Sequence, residues 1–267
     1  MTAFHVIPGD PRSSVIVHVP HSARFIPTPV REGILLDSAG LDCELDVMTD
    51  SFTDLIAESA ASHAGVPPWL FVNRLSRLVI DPERFPDDRE ELNPAGMGSV
   101  YTRTSDGSVL RSPTDEEMSG LVDQYFTPYA NAFADLVDER LAAVGEVTII
   151  DQHSYPLEPN PYELHADGPR PEVCIGTDPF HTPPSLADTA AACYSPHMPT
   201  GDVGIDSPFA GCYVPLRHYN EDSNVSAVMI ELRRDIYLEE RFSTIPSGMR
   251  GFCRALADLI NQIELDR

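Results

Sequence analysis

Short apolar runs that alternate with longer amphipathic stretches predict an α/β domain whose sheet is largely buried and mixed or parallel. Two observations carry this. Residues 14–19 (SVIVHV), 78–80 (LVI), 147–150 (VTII), 173–175 (VCI) and 226–232 (SAVMIEL) are short, continuous and mostly β-branched, as strands buried on both faces are. Between them lie helix-period patterns. A chain of 267 residues can bury a substantial core as one domain, 1–267.

After the first strand, Leu41, Leu45, Met48, Phe52, Leu55 and Ile56 fall on one apolar stripe and predict a single helix. Asp42, Asp46, Asp50 and Asp54 recur four apart beside it, the spacing of a solvated helical face. Residues 84–113 are rich in polar and turn-forming types and predict a long ordered loop beside a site. A second helix is expected over 114–143, opened by Thr114 with Glu117 three residues on. A third is expected near 247–263. Prolines, 25 in all, collect in turns such as PPWL and PLEPNPYEL rather than in a linker, and no internal repeat is present.

Composition narrows the partners. The formal net charge is −24, with 42 acidic residues against 18 basic ones, every one of them arginine. Such a surface repels phosphate backbones and anionic membranes, so the expected partner is a small molecule and neither nucleic acid nor membrane. A small anion would need a local arginine cluster. No run approaches the roughly 20 apolar residues of a membrane helix, and the N-terminus lacks the pattern of a secretory signal, so a cytoplasmic location is expected. Cys43, Cys174, Cys193, Cys212 and Cys253 are scattered, odd in number and never spaced CxxC. Reduced thiols are expected rather than disulfides or a cysteine-only zinc site.

Two apolar runs end on histidine: SVIVHVPHS at His21 and VTIIDQHS at His153. Strand ends of an open α/β sheet are where ligands bind, and two imidazoles brought together there could share a metal. A third ligand could come from Asp42, Glu44, Asp46 or Asp50, and spacing does not choose among them. His18 faces away from its apolar neighbours and reads as structural, whereas His5, His63, His165, His181 and His197 read as surface or loop histidines. Arg74, Arg77 and Arg84 cluster in one segment, and Arg217-His218-Tyr219 forms another basic spot. Guanidinium groups grip carboxylates and stabilise oxyanions, or else pair with the abundant acids. Glu231 sits inside an apolar strand, where burial raises a carboxyl pKa toward general-base range. Its alternative is a salt bridge, with Arg233 as partner.

In order along the chain, VPHS (19–22), MTDSFTDLIAE (48–58), SRLVIDPER (76–84), IDQHS (150–154), PEVCIGT (171–177), AGCYVPLRHY (210–219) and VMIELRRDIYLEE (228–240) resemble the motifs of the N-formylglutamate amidohydrolase family. The resemblance implies a three-layer αβα, mixed-sheet, phosphorylase/hydrolase-like fold on the plan of zinc carboxypeptidases and aspartoacylase. It implies a zinc-dependent hydrolase, one Zn2+ per chain, that cleaves the amide of an N-formyl or other N-acyl amino acid, with N-formyl-L-glutamate as the reference substrate. The implied ligands are His21, Asp50 and His153, with Glu44 in reserve. Glu231 would move the proton, Arg77 would hold the oxyanion, and Arg84, Arg217 and His218 would bind substrate. Three positions depart from the family pattern. Ala23 stands for glycine, Glu83 for the asparagine before Arg84, and LRHYN replaces TRHYG at 216–220. Glu83 puts an acid where a carboxylate is expected to bind.

Overall fold

The computed structural model describes residues 3–239 and 243–267, so Glu240, the end of the last motif, lies outside them. The elements run β1 (Phe4–Ile7), β2 (Val15–Val19), α1 (Thr28–Glu32), α2 (Ser38–Met48), α3 (Thr53–His63), β3 (Trp69–Asn73), α4 (Asp115–Leu121), α5 (Thr127–Val144), β4 (Val147–Tyr155), β5 (Val173–Gly176), α6 (Pro184–Tyr194), β6 (Val203–Ile205), β7 (Val225–Arg233) and α7 (Pro246–Leu265). The sheet has the order β1-β3-β2-β4-β7-β5-β6. Its centre, β3-β2-β4-β7, is parallel, while β1 and β5 run antiparallel to their inner neighbours, so the sheet is mixed.

Period-two alternation sorts the layers. On β2, Val15, Val17 and Val19 join α3, α6 and α7 in one buried cluster, while Ile16 joins α5 in another. Helices therefore cover both faces, giving the expected three layers. His18 lies on the α5 side, fully buried, stacked on Phe133 and bonded to Tyr129. A third cluster joins α2 to the loop 84–113 through Leu45, Met48, Leu92, Met97 and Tyr101.

Three expected elements come out differently. The stripe 41–56 is two helices, because Thr49 leaves helical geometry and Phe52 turns back at φ 68 before α3. Residues 78–80 are not a strand. Ser76 accepts from the N–H of Val79, its hydroxyl takes that of Leu78, and the apolar trio is buried in a turn. The strand of this region is β3, hidden in the sequence by Pro67-Pro68. The predicted helix 114–143 contains a π turn at Val122–Phe126, between α4 and α5. Pro128 has no N–H to give to the preceding turn, which favours such a slip. The Thr114–Glu117 capping box forms as expected.

Candidate active site

β2, β4 and β7 are parallel neighbours, so whatever follows or ends them meets at one edge of the sheet. His21 lies two residues beyond β2. β4 continues past its apolar run to Tyr155 and carries His153, with Glu231 of β7 directly in register beside it. Asp50 arrives from the break between α2 and α3, where its N–H donates to the carbonyl of His21 at 3.0 Å. The structure thus brings Asp50, not Glu44, to the two histidines. Glu44 instead accepts from the Ser105 backbone and hydroxyl at 2.7 and 2.8 Å, tying α2 to the long loop. Asp42 and Asp46 are exposed.

Three donor atoms face one another. His21 Nδ1 and His153 Nδ1 are 3.2 Å apart, and Asp50 Oδ2 lies 3.2 Å from the second and 3.6 Å from the first. Ligands about 2.0–2.1 Å from one tetrahedral zinc stand roughly 3.3–3.4 Å from each other, so the triangle has the dimensions of a zinc face. The far ring nitrogens meet carboxylates. His21 Nε2 is 3.0 Å from Asp81, and His153 Nε2 is 3.2 Å from both Asp151 and Glu83. The Asp81 carboxylate behind His21 holds the ring proton there and turns the other nitrogen's lone pair inward, while His153 Nε2 has the two carboxylates at ion-pair distance only. The group is buried, and by donor type and spacing it fits a metal ion.

The supporting residues were not assigned from the sequence. Asp81 is fully buried and held by Arg77 through Nε at 3.2 Å and Nη2 at 2.7 Å, with the Tyr101 hydroxyl donating as well. Burial opposes its charge, but Arg77, His21 and Arg84 keep its carboxyl well below the usual range. Asp151 accepts from the Tyr213 N–H at 3.0 Å and pairs with His18 Nδ1 at 2.9 Å. Arg234 donates to Asp50 at 2.9 Å and to Ser154, fixing the third donor from behind. Burial would raise Asp50; hydrogen bonds to His153 and His21 and the Arg234 charge hold it well below the ordinary value. A legible clue existed for Asp151, two residues before His153 and so on the same strand face. Asp81 and Arg234 carried no such clue.

Glu231 is different. Its Oε2 is buried with no hydrogen-bonding partner, and Arg233 pairs with Asp235 at 2.7 Å instead. Burial pushes its carboxyl up to about 8, against the lowering effect of His153. It lines a cleft of about 520 Å³ together with His21, Asp50, His153, Arg77 and Arg84. The loop 84–113 forms part of the wall through Phe85, Arg89 and Glu90, as expected of it. Arg217 and His218 are not brought there. Leu216 and Tyr219 of the same turn line the cleft, while Arg217 pairs with Asp135 and Asp138 on α5, and His218 lies 3.2 Å from Asp138. Arg74 is exposed.

Of the remaining histidines, His181 corrects the surface reading. It is buried, its Nδ1 bonds the Val225 carbonyl, and its Nε2 accepts the Asn220 N–H at 2.9 Å. Asn220 has φ 58, the left-handed region where a glycine is expected and asparagine is tolerated, which accounts for that departure. His5, His63 and His165 are exposed, and His197 pairs with Asp258. The five cysteines are free, with Cys43 exposed. No helix among the described residues is long and apolar enough to cross a membrane.

A profile of the N-formylglutamate amidohydrolase family matches residues 13–238. Among solved structures, the chain is similar to an N-formylglutamate amidohydrolase from Ralstonia eutropha JMP134. The TM-score is 0.80 and the identity 20%, over 100% of this chain and 98% of that one. It is also similar to the gene product Atu2144 from Agrobacterium tumefaciens, at TM-score 0.71 and 18% identity over 100% and 96% of the two chains. No curated protein sequence matches.

Proposed function

The chain belongs to the N-formylglutamate amidohydrolase family, and from that premise we propose that it is a zinc-dependent hydrolase of N-formyl or other N-acyl amino acids, with N-formyl-L-glutamate as reference substrate. One observation carries the reading: a buried His21–Asp50–His153 triangle with an unpartnered glutamate beside it, opening on a cleft. One seven-stranded sheet runs from residue 4 to residue 233, in keeping with a single catalytic domain over 1–267.

His21, Asp50 and His153 would hold the ion. Zinc, when bound, supplies a Lewis acid for the amide carbonyl and brings the pKa of its water toward about 7. Glu231 takes a proton from the attacking water and returns it to the departing amine nitrogen. Its apolar setting suits both tasks, since a carboxyl poised near neutrality can accept and release. Arg77 faces the same cleft and offers its guanidinium to the developing oxyanion, with Asp81 and Tyr101 fixing its orientation. Arg84 binds the substrate carboxylate. Arg217 and His218, engaged with α5, have no part in this scheme.

The test is formate release from N-formyl-L-glutamate by purified protein, with chelator, then with zinc restored. Zinc-dependent release that Glu231→Gln abolishes, with metal content unchanged, is the expected result. Protein that carries zinc yet hydrolyses no N-acyl amino acid would be a binding module, and the reading would fail.

A further inference from the structure

Three of the four arginines that line the cleft are already committed. Arg77 is bound to Asp81 through two nitrogens, Arg234 to Asp50, Ser154 and the Val47 carbonyl, and Arg89 to Asp87 while its guanidinium covers Phe85. Arg84 is the least committed, with long ion pairs to Asp81 and Glu90 at 3.8 and 3.7 Å and no hydrogen bond to either. Its side chain is 30% exposed. One guanidinium is therefore available, and it matches one carboxylate bidentately.

The position beside it supplies no second grip. Glu83 turns inward to His153 and His18, 3.2 and 3.4 Å away, so this position supplies a carboxylate where an anion needs donors. Glu90, Glu91 and Asp178 add further acid to the walls, while Glu163 there is neutralised by Arg170 at 2.6 Å. Much of the remaining lining is apolar: Phe85, Leu164, Pro208, Phe209, Leu216 and Tyr219. Leu164 and Leu216 stay 59% and 37% exposed there, as large side chains do where a ligand is to cover them.

We infer that the preferred substrate carries one carboxylate and an apolar side chain: an N-acyl amino acid of the leucine or methionine kind rather than a dianion. Arg84 binds the single carboxylate, and the apolar wall receives the side chain. A second carboxylate would lie near Glu83, Glu90 and Glu91 with no further guanidinium left to receive it, which sets specificity by repulsion as well as by fit. The inference rests on the hydrolase reading above and deepens it.

Calorimetry on zinc-loaded Glu231→Gln tests binding without turnover, using N-formyl-L-leucine, N-formyl-L-methionine, N-formyl-L-glutamate and N-formyl-L-leucinamide. The leucine and methionine compounds are expected to bind roughly 10-fold or more tighter than the glutamate compound. Arg84→Gln in that background is expected to weaken the leucine compound by roughly 10- to 100-fold and leave the leucinamide unmoved. Glutamate binding as tightly as leucine, or leucinamide matching leucine, would overturn the inference. Turnover by the wild-type enzyme is scored separately. Hydrolysis of any panel member sustains the hydrolase reading, and its absence sinks that reading and the inference with it; with turnover present, the binding order alone decides the inference.

Discussion

The turn that carries Arg77 and Arg84 and the turn that carries Arg217 look alike in the sequence, since each follows an apolar run and sets arginine beside a polar residue. What lies behind them differs. Behind the first is Asp81, fully buried and itself a support of His21, so Arg77 is drawn inward to the site. Behind the second is α5, whose Asp135 and Asp138, three residues apart on one helical face, draw Arg217 outward. In a chain with 42 acids, an arginine goes to the carboxylate its backbone can reach. Arginine clusters become substrate grips here only where the nearest acid is part of the site.

Breaking the first turn should have the largest effect. Arg77→Ala strips a buried carboxylate of the guanidinium that donates twice to its Oδ2, and loss of one member of such a pair costs about 3–5 kcal/mol. Asp81 would also lose its fixed position behind His21, so zinc affinity should fall roughly 10- to 100-fold. Urea unfolding and competitive zinc titration measure the two. A variant as stable as wild type would mean that Asp81 does not depend on Arg77.

Arg84→Gln in the same turn should separate binding from chemistry. Arg84 makes only long ion pairs, so folding should hardly change. KM for an N-acyl amino acid should rise roughly 10- to 100-fold with kcat nearly constant. A loss in kcat instead would place Arg84 at the reacting carbonyl, the role given above to Arg77.

How much of this could be read beforehand follows from the same physics. The histidines and Glu231 were legible because polar residues in or just after the short apolar runs of β2, β4 and β7 stand out where both faces are buried. The mixed three-layer plan followed from the alternation of elements and from the family motifs. The third donor was not legible from spacing. Asp50 sits in register with a row of aspartates, and only the turn at Thr49–Phe52, with Phe52 at φ 68, takes it off the solvated face and buries it. Asp81 and Arg234 were hidden for a related reason: their partners lie 60 and 184 residues away in the chain. The outward direction of Arg217 depended on the phase of α5, which apolar periodicity fixes only to within a residue or so.

The second turn has one feature of moderate consequence. Asn220 holds φ 58 and gives its N–H to buried His181. Asn220→Ala keeps that donor and the Cβ but removes the carboxamide that lets asparagine tolerate left-handed geometry, at a cost of about 1 kcal/mol, while Asn220→Gly should match or exceed wild type. Thermal midpoints of the two variants should therefore move apart, glycine above alanine. Equal midpoints would show that the backbone at 220 relaxes freely.

Arg217→Ala should do least. Its side chain is 42% exposed, and its partners Asp135 and Asp138 are 70% and 48% exposed, so water and salt already screen the pairs. Deleting the charge leaves two acids that water can solvate. The thermal midpoint should shift slightly in dilute buffer, and the shift should vanish near 1 M salt, where screening acts over about 3 Å. KM and kcat should stay within about twofold of wild type, because the arginine side chain does not line the cleft and removal of such a surface pair is worth little. A tenfold rise in KM would mean that the turn swings inward when substrate binds. The cleft would then hold two free guanidinium groups rather than one, and the distinction between the two turns, with the single-carboxylate specificity built on it, would no longer stand.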